Sequence, residues 1–556
     1  MTSVRLFSII VLTASLTGCG KKSDAPPPPV TPVPTALQVK TISINNKSGA
    51  AVYYDINFSP VIKIAFTTPV DRSTVASNVS LATIVGNTTF TAGYESGDSV
   101  LVVQPNAALT PITQYTVRLL TGLQSKEHQS LVTAASQVFE TGIDSTDKFP
   151  RISDSALLDL VQKQTFKYFW DFAHPVSGLA RERNTSGDVV TSGGSGFGIM
   201  AMLVAANRNF ITRAQALQRM QTIVGFLKNT AQKFHGAFPH WLNGGTGVVV
   251  PFSAKDNGAD LVETSYMFAG LLCSRQYFNG ADAAETTLRN DINTLWNAVE
   301  WSWFRQGNQN VLYWHWSPNF NWDMNFPIRG WNEALITYVL AASSTTFAVP
   351  KVVYDNGWAG VTGFTNGNTY YSYQLPLGPA MGGPLFFAHY SFLGINPNSL
   401  TDAYADYSKQ NKNHTLINYN HCRINPNNFY GYSDACWGLT ASDINGGYAA
   451  SSPTNDIGVI APTAALSSFP YAPTESMRAL QFFYYKLGDK LWGEYGFYDA
   501  FSLKGPWFAN STLAIDQGPI IVMIENYRSG LLWNLFMSCP EIKTGMKGLG
   551  FQSPNL

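Results

Sequence analysis

Ser153-Asp154-Ser155-Ala156-Leu157-Leu158-Asp159-Leu160-Val161-Gln162-Lys163-Gln164-Thr165-Phe166-Lys167-Tyr168-Phe169-Trp170-Asp171-Phe172 is where the chain changes its period. Ser153 reads as a helix N-cap, and Leu157, Val161, Phe169 and Phe172 fall on one face of an α-helix. Upstream the period is that of half-buried strands: Ile62, Ile64 and Phe66 alternate with Lys63 and Ala65, and Tyr115, Val117 and Leu119 with Thr116 and Arg118. Short strands broken by Pro, Gly, Asn and Asp predict an all-β sandwich over residues 37–143, and Ile143 to Pro150 reads as a linker. Downstream, helical runs are predicted at Gly198 to Asn209, Arg213 to Phe234, Ala259 to Phe278, Trp331 to Ser343, Ser476 to Leu487 and Ile520 to Phe536. Between them lie aromatic loops, Trp314 to Trp331 and Asn425 to Tyr448, of the length that usually carries function. An all-α toroid of paired helices over residues 150–545, with loops walling one end, accommodates both.

The chain has 556 residues, 36 basic and 36 acidic, so its formal charge is zero. Charged residues are 13%, against ~25% in an average soluble domain, and aromatics are also 13%. Zero balance without a basic run argues against nucleic acid, whose binding rests on Lys and Arg neutralising phosphates. So many rings with so little charge point to displayed aromatics, as in a polysaccharide cleft.

Arg5 followed by the apolar stretch Leu6 to Leu16 is an export signal too short to span a bilayer. Leu16-Thr17-Gly18-Cys19 resembles the bacterial lipobox, which implies lipidation at Cys19; an ordinary secretory signal is the alternative. Residues 20–36, with Pro26, Pro27, Pro28, Pro29, Pro32 and Pro34, read as an extended tether. The expectation is a monomer anchored by lipid in the cell envelope of a Gram-negative bacterium. Cys422 and Cys436 are near enough for a loop staple, which the spacing does not decide, and Cys273 reads as core. No CxxC or Cys/His cluster suggests a metal, and no cofactor is expected. Gly193-Gly194-Ser195-Gly196 reads as a flexible turn without the lysine of a phosphate-binding loop.

The chemistry lies in carboxylates. Asp256-Asn257-Gly258-Ala259-Asp260-Leu261-Val262-Glu263-Thr264 opens a helical run, and offsets of four and seven would set the three acids within ~60° on a helical wheel. A solvated first turn favoured by the helix dipole is the bland reading, but the stripe continues into Met267, Gly270 and Leu271, so the face does not stay wet. Glu333 follows in Arg329-Gly330-Trp331-Asn332-Glu333, where an aromatic loop enters an apolar helix. Glycoside hydrolysis generally needs one carboxylic acid to protonate the leaving oxygen and one carboxylate opposite.

Six further segments carry a resemblance: Trp437-Gly438-Leu439-Thr440-Ala441-Ser442-Asp443, Gly446-Gly447-Tyr448, Ile460-Ala461-Pro462-Thr463-Ala464-Ala465, Leu491 to Phe501, Ile515-Asp516-Gln517-Gly518-Pro519 and Ile524 to Gly530. From about Ser153 to Pro540 the chain resembles the glycoamylase-like domain and, with the Asp256 block, glycoside hydrolase family 144. Phe66-Thr67-Thr68-Pro69-Val70-Asp71 and Val138-Phe139-Glu140-Thr141-Gly142 resemble bacterial Ig-like domains of the SbsA type. The resemblance implies an (α/α)6 barrel that hydrolyses β-1,2-glucan with inversion, with Asp256, Asp260, Glu263 and Glu333 as its acids. Ser343 to Pro350 departs from the family, lacking a Ser-Pro-Thr-His-Pro-like turn.

Glu333 is the expected general acid, because it emerges from the Trp-rich loop where desolvation raises a carboxyl. Asp260 is the expected base, with Asp256 and Glu263 supporting and Asp443 the rival. Trp316, Trp322, Trp331 and Trp437, flanked by polar or Gly residues, are expected to stack on sugar, and Asp456 and Arg528 to bind hydroxyls. The enzyme expected from the resemblance is an endo-β-1,2-glucanase; an exo-acting sophorose-releasing enzyme, a glucosyltransferase and a non-catalytic glycan-binding lipoprotein are the alternatives. The Ig-like region reads as a spacer, or as a glycan binder.

Overall fold

The computed structural model describes residues 35–556. The expected signal peptide, Cys19 and nearly all of the Pro-rich tether lie outside the described residues. Among the described residues no helix is long and apolar enough to cross a membrane.

The N-terminal body is a two-sheet sandwich. One sheet runs Val39–Ile44, Ile62–Phe66, Val100–Pro105, Phe90–Glu95, all antiparallel. The other runs Val52–Ile56, Ala135–Thr141, Gln114–Leu119, Val79–Thr83, Gly86–Thr88, with the first pair parallel. Alternation decides the register: Ile62, Ile64 and Phe66 point into the core with Leu81, Val103, Val117 and Phe139, while Lys63 and Ala65 face outward.

The second body is largely helical. Ser153 caps the Asp154–Trp170 helix, its hydroxyl accepting from the Ala156 N–H. That helix packs on Ser192–Asn207 and Ala514–Arg528, and Ser192–Asn207 packs in turn on Leu261–Tyr277. These last three helices are buried along almost their whole length, so their apolar residues show no single stripe. Arg213–Asn229, Ala283–Asn297 and Pro540–Leu549 lie outside them with one buried face each.

Several expected boundaries move. The last long run divides into Ala514–Arg528 and Leu531–Met537, because Gly530 turns with φ 70°. The run from Trp331 becomes helix only at Leu335. Gly193 to Gly196 is no flexible turn but the first turn of the Ser192–Asn207 helix. The 143–150 segment does not hang free as a linker: the Lys148 N–H donates to the Tyr485 carbonyl at 2.7 Å, and Phe149 stacks on Tyr484 at 4.6 Å. The sandwich is fastened to the helical body by Tyr54 stacked on Tyr430 at 5.4 Å, by the Gly505 N–H donating to Glu140 at 2.9 Å, and by Ile112, buried among residues of the helical core. Cys422 and Cys436 are buried free thiols, so the staple is not formed.

Candidate active site

The helix N-termini assemble the site. Gly196 and Gly270 let two inner helices touch backbone to backbone: a Cβ on Gly196 would lie 2.1 Å from the Tyr266 carbonyl, and one on Gly270 2.2 Å from the Gly196 carbonyl. This contact carries Glu263 to the start of the neighbouring helix, where its Oε2 accepts from the Gly193 N–H at 2.6 Å and the Thr191 hydroxyl at 3.3 Å. A helix N-terminus is a favourable place for a carboxylate. A Cβ on Gly193 would stand 2.6 Å from that oxygen, so the glycine is required by the acid. Among the described residues Oε1 of Glu263 has no hydrogen-bond partner.

Glu263 lines a cavity of about 470 Å³ together with Glu182, Arg183, His240, Trp241, Phe252, Tyr390 and Tyr448. Burial raises its carboxyl, and the nearby Asp260 charge adds to that, against the pull of His240. Glu333 lies close enough for its charge and those of Glu263 and Asp260 to be felt mutually. Burial, with those charges, pushes Glu333 up to about 7. Its backbone carbonyl is pinned by the hydroxyls of Tyr266, at 3.3 Å, and Ser391.

Asp256, Asp260 and Glu263 do not share a helical face, because the helix begins at Leu261. Asp260 is its N-cap: one oxygen accepts from the N–H groups of Val262 and Glu263, at 3.0 and 2.9 Å, and the other from His240 Nδ1 at 2.9 Å. It has no exposed surface. Burial works to raise it, but the His240 hydrogen bond and the charges of His315 and His240 prevail and hold it low. Asp256 faces His315 at 3.2 Å. Burial pulls His240 down, yet the Glu263 and Asp260 charges carry it up to about 9, so it is an imidazolium at neutral pH. The donor atoms of His240, Asp256 and Asp260 lie within 4.8 Å of one another and have the chemistry to hold a divalent cation.

Asp443 sits in a neighbouring depression that shares Arg183 and Tyr448 with the cavity. Arg183 Nη1 lies 3.2 Å from both its oxygens, and Ser511 donates to it at 2.5 Å. Behind it, the Asp443 N–H donates to Asp499 at 2.6 Å. Burial lifts Asp499 to about 7 and, with the neighbouring Asp499 charge, Asp516 well above its ordinary range. One proton shared between them accounts for this.

The expected sugar contacts lie elsewhere. Trp437 is wholly buried with its Nε1 donating to the Glu475 carbonyl at 3.2 Å, and Trp331 packs in the core against Phe392 and Tyr407. Trp316 and Trp322 pack on Trp303 outside the cavity lining. Asp456 is tied to His421 at 2.9 Å and Tyr432 at 2.8 Å. Arg528 ends the Ala514–Arg528 helix, paired with Asp159 at 2.6 Å, whereas the cavity is lined at that helix's start by Leu513 and Ile515. Flanking glycines marked turns, not exposed rings. The rings that do wall the cavity are Trp241, Phe252, Phe386, Tyr390 and Tyr448; none of them, nor His240 or Arg183, was among the expected sugar contacts, although Tyr448 stands in the Gly446-Gly447-Tyr448 segment and Pro239-His240-Trp241 offered a local signal.

The Glycoamylase family model matches residues 325–540, and a bacterial Ig-like domain model matches residues 31–141. A curated protein of Parabacteroides distasonis, an exo β-1,2-glucooligosaccharide sophorohydrolase (non-reducing end), is 44% identical over 82% of this chain; the chain spans 66% of that relative's length. The solved endo-β-1,2-glucanase of Chitinophaga pinensis, in complex with sophorotriose and glucose, is 53% identical with a TM-score of 0.71, covering 73% of this chain and 100% of that one. A solved β-1,2-glucanase of Parabacteroides distasonis is 36% identical with a TM-score of 0.71, covering 94% of this chain and 74% of that one.

Proposed function

The chain belongs to the glycoamylase-domain family related to the β-1,2-glucanases of glycoside hydrolase family 144, with an N-terminal bacterial Ig-like domain, and from that premise we propose that it is a glycosidase of β-1,2-glucan that releases sophorose from a chain end. The observation that carries a hydrolytic role is Glu333: an acid pushed up to about 7 beside other carboxylates keeps a transferable proton at neutral pH. Exo action is favoured by the curated Parabacteroides distasonis relative, an exo-acting sophorohydrolase 44% identical over 82% of this chain.

In this reading the helical domain is an (α/α)6 barrel and Glu333 protonates the leaving glycosidic oxygen. Water attacks the anomeric carbon from the opposite face, gives its proton to a carboxylate, and the anomeric configuration inverts. Glu263 is the base that the geometry supports, because it lines the cavity with one oxygen free. Asp260, saturated by two N–H groups and His240, positions that helix start instead, and Asp443 with Arg183 orients sugar hydroxyls. Cys19 lipidation in a Gram-negative envelope remains a proposal from the lipobox-like sequence alone; fatty-acid labelling lost in Cys19→Ala tests it.

Incubation with linear β-1,2-glucan separates the modes. Sophorose from the first time point, with slow loss of chain length, fits exo action. An early spread of oligosaccharides is the endo reading, which the 53% identity to the Chitinophaga enzyme favours. No cleavage of any β-1,2-glucan overturns both.

A further inference from the structure

A groove of about 850 Å³ runs between the sandwich and the helical domain. The sandwich supplies one wall, with Ile84, Val85, Asn87 and Thr113, and the helical domain the other, with Asn445 and Pro506. Its position follows from the chain. Asn445 lies in the turn of the hairpin whose strands place Asp443, Ile444 and Tyr448 in the depression beside the catalytic cavity, and Pro506 directly precedes Trp507 of that depression. Cavity, depression and groove therefore succeed one another, with Asn445 and Pro506 as the sill between the last two.

The lining carries no charged side chain. Ile84 and Val85, at the tip of the Val79–Thr83 and Gly86–Thr88 hairpin, are 103% and 93% exposed, although neither packing nor the turn needs a branched apolar residue there. Threonine hydroxyls and asparagine amides stand beside them. Apolar patches next to neutral hydrogen-bonding groups match a pyranose, which has apolar C–H faces and a rim of hydroxyls. An anionic ligand would find no cation here. The two walls are held in register by the Glu140–Gly505 hydrogen bond and the Tyr54–Tyr430 stack.

We propose that this groove is an accessory subsite that holds glucose units of a long β-1,2-glucan beyond those in the catalytic cavity, which makes the Ig-like domain part of the substrate-binding surface. The inference rests on the glucan-hydrolase reading. It gives the sandwich a role other than spacing, because the chain end is cut in one domain while the remainder of the polymer lies across both.

The test is the double variant Ile84→Asp/Val85→Asp, at positions exposed enough to leave folding alone, with kcat/KM measured on a short β-1,2-gluco-oligosaccharide and on long-chain glucan. The expected result is an unchanged value on the short substrate and a fall of about five- to tenfold on the long one, the scale of one lost apolar contact plus a charge facing sugar. Asn445→Ala, on the other wall, should show the same selectivity with a smaller fall. Equal values on the long substrate, or an equal loss on both, overturn the subsite. If the unaltered protein cleaves neither substrate, the hydrolase reading is what fails. Calorimetric titration with long-chain glucan then decides the groove: weaker binding by the double variant sustains it, and equal binding or none overturns it.

Discussion

Glu333→Gln removes a proton that the fold has placed at great cost to a carboxylate. An ordinary glutamic acid, at 4.5, is protonated in about one molecule in three hundred at pH 7; at about 7, Glu333 is protonated in about half. Burial, the largest cause, and the neighbouring charges therefore enrich the acid form by roughly a hundredfold. The sign follows: the acid works when protonated, so the alkaline limb falls about tenfold per pH step above about 7, while an acid limb sets in at lower pH where Glu263, the proposed base, takes up its proton. The assay is kcat/KM on linear β-1,2-glucan from pH 5 to 9, for the unaltered protein and for Glu333→Gln. The variant should lose about 10²- to 10⁴-fold while keeping its thermal midpoint. It should recover most of the rate on an aryl β-sophoroside, whose leaving group needs no proton. A profile flat to pH 9, or a variant as slow on the aryl substrate as on the glucan, would contradict Glu333 as the acid.

Other substitutions read other parts of the site. Gly193→Ala sets a methyl 2.6 Å from Glu263 Oε2, and should cost about 1–3 kcal/mol in denaturant unfolding together with most of the activity, because the acid has nowhere to retreat. Asp260→Asn keeps the cap, since an amide oxygen also accepts from Val262 and Glu263, but releases His240. The His240 titration, followed by NMR, should move from about 9 toward its ordinary value; a His240 that does not move would separate it from Asp260. Trp437→Ala should destabilise by about 3–5 kcal/mol with KM on the surviving folded fraction unchanged, since the ring is wholly buried; a rise in KM alone would return Trp437 to the cleft.

How much was legible differs by element. Ile62, Ile64 and Phe66 gave their sandwich register directly, because a strand with one buried face must alternate. Ser153 marked its helix because a cap is a local contract between one hydroxyl and one N–H. Helix starts were less legible where backbone contacts between helices set them. Gly193 to Gly196 looks like a turn by composition, but its glycines lie in a helix whose close packing needs them: Glu263 and Tyr266 leave no room for a Cβ at Gly193, Ala514 and Thr191 none at Gly194, and Tyr266 none at Gly196. The tryptophans failed for a similar reason: polar and glycine neighbours in sequence say nothing of what packs on a ring in space, and Trp437 and Trp331 lie in the core.

By itself the sequence determined the two bodies and the point where strand gives way to helix, which follow from periodicity and are local; Asp256, Asp260, Glu263 and Glu333 came as a set only through the resemblance to the family. Tertiary structure decided the surroundings of each acid. Burial, hydrogen-bond saturation and charge proximity depend on residues distant in the chain: His240 saturates Asp260, Gly193 anchors Glu263, and both charges lift Glu333. A carboxylate's proton affinity is a property of its surroundings, and only the fold supplies those.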